Sequence, residues 1–308
     1  MPAPRDVDLA VTIGHVSFDN PIIAASGTFG YGVEFGHLVD LNCLGGVVTK
    51  GLSLEPMKGA LPPRIVDADS GMINAVGLQN VGVHAFVALK LPQLRPYRTR
   101  VVCNVFGHAR TEYSRVVEVL EEAEGIAAYE LNLSCPNVDA GGLEFGFDPV
   151  ALSGLVSDVR RLTKRDLWVK LPPSIGYITM LAKAAEQAGA DALTIANSYP
   201  AASLDFTTGR PRLGSTGGGL SGAAIKPITL RLVAQAKTAV QIPIVGLGGV
   251  ETVEDVIEYL MAGASAVQVG TAHFVDPRAS ECLVNDLESW ASSNKINRIS
   301  DLTPHKGA

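Results

Sequence analysis

Short runs of β-branched and apolar side chains recur along the chain, each closed by a turn rich in Gly, Asn or Pro. Most are followed by a stretch whose apolar positions repeat at helical spacing. Eight such runs predict strands: Pro21–Ala25, Gly46–Lys50, Arg100–Phe106, Ala128–Ser134, Leu167–Leu171, Ala192–Ala196, Ile242–Gly246 and Ala266–Gly270. The clearest helices between them are predicted at Thr111–Glu124, Asp148–Thr163, Ile178–Ala188, Ile225–Ala239 and Thr252–Ala262. Near-continuous apolar strands separated by helices are the mark of parallel strands buried on both faces. Eight such units predict an α/β fold, a closed (β/α)8 TIM barrel. An open doubly wound sheet is the alternative, since periodicity does not establish closure, but both place ligands at the C-terminal ends of the strands. No boundary divides the pattern, so residues 1–308 read as one domain.

Two connections are longer than an ordinary βα loop: Cys135–Phe147 after the fourth strand and Asn197–Gly222 after the sixth. Loops of that length commonly serve as lids or contact surfaces. The second is apolar enough in places to predict short strands of its own.

Composition narrows the class. A hydrophobic content of 47% supports a substantial core. The formal charge of −6, from 25 Lys+Arg against 31 Asp+Glu, comes with no basic cluster interleaved with aromatics, which argues against a nucleic-acid partner. The start, Met1-Pro-Ala-Pro-Arg-Asp-Val-Asp8, lacks the pattern of a signal peptide, and no apolar run approaches the ~20 residues of a membrane span. A cytoplasmic protein without membrane association is expected. Cys43, Cys103, Cys135 and Cys282 are widely scattered, which suits a reducing compartment better than a disulfide framework. The six histidines form no pair at metal-ligand spacing, and no metal set is expected. The acidic run Glu118–Glu124 reads as the solvated face of a helix.

On a barrel the strand C-termini deliver side chains to the catalytic mouth. In order they supply Ser26-Gly27, Thr49-Lys50, Asn104, Asn132 with Cys135, Lys170, Asn197-Ser198, Gly248-Gly249 and Gly270-Thr271. The last two are glycine turns that open helices after the seventh and eighth strands, where exposed amides and the helix dipole make a phosphate site, and Gly222 can add a donor. Any one such turn is as readily a simple strand ending; their joint placement favours phosphate. Amides provide paired donors and acceptors for a planar heterocycle with carbonyl and imide groups, while a lysine favours developing negative charge. Phosphate plus planar ring suggests flavin mononucleotide (FMN). Lys170 sits where an ammonium could stabilise the reduced ring, although an isolated strand lysine is more commonly part of a barrel-interior ion pair. Of the cysteines only Cys135 stands at a strand end. A free thiol is only slightly ionised at neutral pH, so as a base it needs a nearby positive charge or hydrogen-bond donors.

At these motifs the chain resembles the dihydroorotate dehydrogenases, from Asn20-Pro-Ile-Ile through Phe274-Val-Asp-Pro277. The resemblance rests on Gly71-Met-Ile-Asn-Ala-Val-Gly-Leu-Gln-Asn80, Asn104-Val-Phe-Gly107, Glu130-Leu-Asn-Leu-Ser-Cys-Pro-Asn137, Gly218-Gly-Leu-Ser-Gly222 and Ile225-Lys-Pro227. A cysteine in place of serine resembles the soluble class 1 enzymes. The Asn74–Leu78 loop and the stretch from Asn137 look like class 1B, the catalytic subunit of an NAD-linked complex, with the fumarate-linked class 1A second. The resemblance implies that Cys135 removes a proton from carbon 5 of dihydroorotate while a hydride passes from carbon 6 to the flavin. It implies that Lys50, Asn74, Ala75, Val76, Gly77, Leu78, Asn132, Asn197 and Ser198 hold the substrate. Ser26, Thr49, Lys50, Asn104, Asn132, Lys170, Ala196, Gly222, Gly248, Gly249, Gly270 and Thr271 would contact FMN. Ala196 is smaller than the aliphatic residue expected there, and Ala223 stands where the family pattern has proline; both put local packing in question. The chain has no cysteine cluster for an iron–sulfur centre and no second nucleotide fold. By resemblance, a separate electron-transfer subunit would carry FAD and a 2Fe–2S cluster, and the catalytic chain would form a homodimer within a heterotetramer. Competing readings are a dihydropyrimidine dehydrogenase-like flavin domain, a lyase using Lys50 or Lys170 as a Schiff base, and a non-enzymatic flavin-binding module.

Overall fold

The computed structural model describes residues 7–133, 136–137 and 143–302. Eight parallel strands close into a barrel: β1 (Ile22–Ala24), β2 (Gly46–Val48), β3 (Arg100–Val105), β4 (Ala128–Asn132), β5 (Asp166–Leu171), β6 (Ala192–Ile195), β7 (Ile244–Leu247) and β8 (Ala266–Val269). Each pairs with its sequence neighbours, and β8 returns to β1 through Val267 opposite Ile22. All eight predicted runs are barrel strands, and closure excludes the open sheet. Interior and exterior positions alike are buried along β1, β2, β5, β6 and β8, because a barrel strand packs on side chains inside and on helices outside.

The five predicted helices form at Arg110–Glu121, Pro149–Arg160, Ile178–Gln187, Lys226–Lys237 and Val253–Met261. Two starts are fixed by side chains. Asp148 accepts the Val150 N–H ahead of Pro149, and Thr252 forms a reciprocal capping box with Asp255. A longer helix, Ala279–Ser293, runs near the C-terminal end of the described chain.

The two faces of the barrel are closed differently. At the N-terminal face the hairpin Val11–Ile13/Val16–Phe18 sets Phe18 against Trp168, ring centroids 5.7 Å apart, and His15 against Asp166 at the start of β5. Over the opposite face stands a four-stranded antiparallel sheet, Ile65–Ala68, Gly71–Asn74, Gly218–Ser221 and Tyr199–Ala201. Its last two strands realise the short strands expected in the long connection after β6. Its first two come from the segment between β2 and β3, where alternation is too brief to stand out in the sequence.

One sequence reading is corrected. Glu121, inside the acidic run assigned to a solvated face, accepts hydrogen bonds from Tyr129 Oη and Thr163 Oγ1, both at 2.7 Å. Helical spacing turns this single acid of the run toward the barrel wall.

Candidate active site

The mouth of the barrel opens into a cavity of about 520 Å³ roofed by the antiparallel sheet. That size falls in the range of small-molecule and cofactor sites. Of the residues singled out in the sequence, Ser26, Lys50, Asn74 to Leu78, Asn104, Asn132, Lys170, Ala196, Asn197, Ser198, Gly222, Gly248, Gly249, Gly270 and Thr271 all line it. Thr49 stands behind the wall, fully buried, with its hydroxyl accepting the Asn104 backbone N–H at 3.2 Å. Its side chain therefore holds Asn104 rather than facing the cavity. Cys135 lies outside the described residues.

Lys170 is the most enclosed cation of the mouth. It projects from β5 inside the barrel, 4% exposed, and donates to Ser26 Oγ at 3.2 Å. Loss of hydration pushes its ammonium below the usual lysine range, an effect partly opposed by the charge of Glu130. Lys50 is also held below the ordinary value, first by burial and then by repulsion from Arg64.

Beside Lys170 the amides form a chain of contacts. Asn197 Nδ2 donates to Asn132 Oδ1 at 3.2 Å, and Asn197 Oδ1 accepts the Ser198 N–H at 2.8 Å. Asn132 also has its backbone carbonyl fixed by Tyr113 Oη at 2.7 Å. On the roof, Asn74 Nδ2 donates to the Gly219 carbonyl at 3.2 Å, so two separate insertions are sewn together at the cavity edge. The loop that follows is constrained: Leu78 takes φ 57°, the left-handed region that a leucine rarely adopts.

The glycine turns of the cavity pack on each other. A Cβ on Gly249, at φ 67°, would stand 2.8 Å from the Gly222 carbonyl, and one on Gly222, at φ 103°, would stand 2.6 Å from Gly71 Cα. Tyr259, buried on the helix Val253–Met261, donates to the Gly248 carbonyl at 2.6 Å and orients that turn. Gly246 makes room for it, because a Cβ there would fall 2.4 Å from the tyrosine ring. Gly270 is open by contrast: a Cβ there would meet only the side chains of Ala25 and Thr28, at 3.8 Å or more, so a ligand can approach the backbone closely. Thr271 Oγ1 donates to Ser221 Oγ at 2.8 Å, linking this turn to the roof.

Several contributors were not among the residues singled out in the sequence. Ser221 and Phe274 line the cavity, each inside a motif already quoted for the resemblance. Glu130 supports it from below, and its signal was a charge in the middle of an apolar strand. Away from the mouth, His15, Asp166 and Asp191 bring ligand atoms within 4.8 Å of one another, residues too far apart in sequence for spacing to reveal. Arg160 already pairs with Asp191 at 2.6 Å.

The barrel mouth thus brings packed glycine turns and a buried lysine among amides into one cavity. The model of the family described as dihydroorotate dehydrogenase matches residues 8–290, and the chain belongs to that family of oxidoreductases. It is 53% identical over 294 residues to a Solibacter usitatus protein provisionally named dihydroorotate dehydrogenase A (fumarate), covering 96% of this chain and 97% of that one. It is 45% identical over 295 residues, at the same coverage, to the catalytic subunit of dihydroorotate dehydrogenase B (NAD(+)) of Pelobacter propionicus. In fold it is similar to the Eimeria tenella DHODH crystallised with ferulenol: TM-score 0.79 at 21% identity, covering 98% of this chain and 89% of that one. No helix among the described residues is long and apolar enough to cross a membrane.

Proposed function

We propose that this chain, as one FMN-binding domain, oxidises dihydroorotate to orotate in pyrimidine biosynthesis and hands the electrons to a partner that reduces NAD. The observation that carries the reading is the joint placement, in one cavity, of the buried Lys170 and the glycine turns at Gly222, Gly248, Gly249 and Gly270. The donor set fits FMN: the glycine turns, with the Gly270 backbone open to close approach, suit its phosphate, and Ser26, Asn104, Asn132 and Lys170 suit its ring. FMN, when bound, supplies the hydride acceptor that the protein side chains lack.

The chain's own residues account for the rest. Lys50, Asn74, Asn132, Asn197 and Ser198 orient dihydroorotate, with the Lys50 ammonium facing its carboxylate or ring carbonyl. Lys170 places positive charge where negative charge develops during turnover. Cys135 takes up the proton from carbon 5 of the substrate, a role that requires thiolate character of it. The roof made by the two insertions limits water at the reacting atoms.

The partner in this reading is a subunit carrying FAD and a 2Fe–2S cluster, joined to a homodimer of this chain in a heterotetramer. Support comes from the relatives near 45% identity named as NAD-linked catalytic subunits. A second reading, direct reduction of fumarate, is favoured by the name of the 53% identical relative. An absorbance spectrum of the purified chain, anaerobic titration with dihydroorotate and then addition of fumarate separates them. Fast reoxidation by fumarate without a partner supports the second reading, and a colourless chain unable to take up FMN removes both.

A further inference from the structure

Inside the barrel, one layer below the mouth, Glu130 on β4 is 0% exposed. Three neutral donors from three other strands converge on its two oxygens: Asn104 Nδ2 at 2.7 Å on one, and Thr194 Oγ1 at 2.7 Å and Gln268 Nε2 at 2.6 Å on the other. An unsupported carboxylate in such a place would be strongly destabilising, so this degree of satisfaction is what allows it to stay. The arrangement carries a visible cost, because Gln268 turns its N–H2 group to Glu130 and leaves its own Oε1 buried with no partner. A purely structural layer of a barrel core is more commonly filled with bulky branched apolar side chains.

The consequence falls on Asn104. A carboxylate can only accept, so the Asn104 amide must present its N–H2 downward and its carbonyl oxygen elsewhere. That oxygen points to the mouth, since a Cβ on Gly51, a residue of the cavity wall, would stand 3.0 Å from Asn104 Oδ1. The Thr49 hydroxyl holds the same residue's backbone N–H at 3.2 Å, so Asn104 is fixed at both ends.

We propose that Glu130 is a positioning residue of the flavin site: it locks the Asn104 amide with its oxygen facing the cavity, as an acceptor for a ring N–H such as the imide of an isoalloxazine. The inference rests on the flavin reading above. With Glu130→Gln the buried side chain keeps its shape, but its own N–H2 competes for acceptors and Asn104 loses the constraint that sets its amide.

The test is a double-variant cycle in FMN affinity, read by quenching of FMN fluorescence in wild type, Glu130→Gln, Asn104→Ala and the pair combined. Each single change should weaken FMN about tenfold, the effect of losing one hydrogen bond to a charged or buried partner, and the two losses should fail to multiply in the pair. Unaltered affinity in Glu130→Gln, or losses that multiply fully, overturns the inference. Should Glu130→Gln not fold, Glu130→Asp takes its place: it keeps the charge but withdraws from Asn104, and affinity within twofold of wild type would overturn the inference as well. Failure of the wild-type chain itself to bind FMN defeats the flavin reading, and this inference with it; normal wild-type binding with an indifferent Glu130 variant defeats this inference alone.

Discussion

Lys170 Nζ lies 3.2 Å from Ser26 Oγ, a contact that spans the mouth between β5 and the turn after β1. The two residues are 144 positions apart, and only barrel closure brings them together. The ammonium is thus hydrogen-bonded to a neutral hydroxyl inside the barrel, with the Glu130 carboxylate as a nearby opposite charge.

Replacing that ammonium should be severe. Lys170→Met, close in length and uncharged, is expected to lower turnover by about 10²- to 10³-fold, the usual loss when one preorganised electrostatic donor is removed. Stopped-flow reduction of bound flavin by dihydroorotate measures it; a change below about threefold would show that the charge plays no part in the chemistry.

Cys135→Ala tests the proposed base. Flavin should stay bound, while turnover at neutral pH falls by about 10²- to 10⁴-fold, the typical contribution of general base catalysis. Near-normal turnover in this variant would take Cys135 out of the mechanism.

The glycine turns allow a sharper separation of phosphate from ring. Gly222→Ala puts a methyl group 2.6 Å from Gly71 Cα at φ 103°, so the turn must move. A destabilisation of about 1–3 kcal/mol is expected for a side chain forced into this region. Binding of FMN should weaken more than binding of riboflavin, which lacks the phosphate. Equal losses for the two ligands would mean that the turn is not the phosphate site.

The purified chain alone should become reduced by dihydroorotate and yet leave NAD unreduced. Steady-state formation of NADH without any added protein would contradict the two-subunit reading.

The N-terminal hairpin offers a pH test independent of ligand. His15 Nδ1 lies 2.8 Å from Asp166, and this hydrogen bond, together with the charges of Asp166 and Asp191, raises its pKa above the ordinary 6.5. A group with a raised folded-state pKa contributes stability that is fully present below 6.5 and is lost as pH rises through the raised value. Melting temperatures of wild type and His15→Ala should therefore differ more at acidic pH than well above the raised value. A gap that is constant across that range would show that the imidazolium charge is irrelevant.

Among the site residues, those at strand ends were legible in the sequence because a parallel barrel strand ends in a polar or glycine turn by necessity. Glu130 was not, since a lone acid in an apolar strand declares no partner until Asn104, Thr194 and Gln268 arrive from three other strands. Nor was the role of Thr49, whose neighbour Lys50 faces the cavity while its own side chain, one position earlier, turns behind the wall.

By itself the sequence determined the eight strands, five of the helices that cover them and the polar groups the strands carry to their ends, because hydrophobic period and turn chemistry act over a few neighbouring residues. Only the tertiary structure decided that the sheet closes, that the insertions after β2 and β6 meet as one roof, and that Gln268 leaves an acceptor unmatched to serve a buried carboxylate. Those outcomes depend on contacts between residues tens to more than a hundred positions apart, where the fit of surfaces and the pairing of buried polar atoms, rather than local pattern, set the free energy.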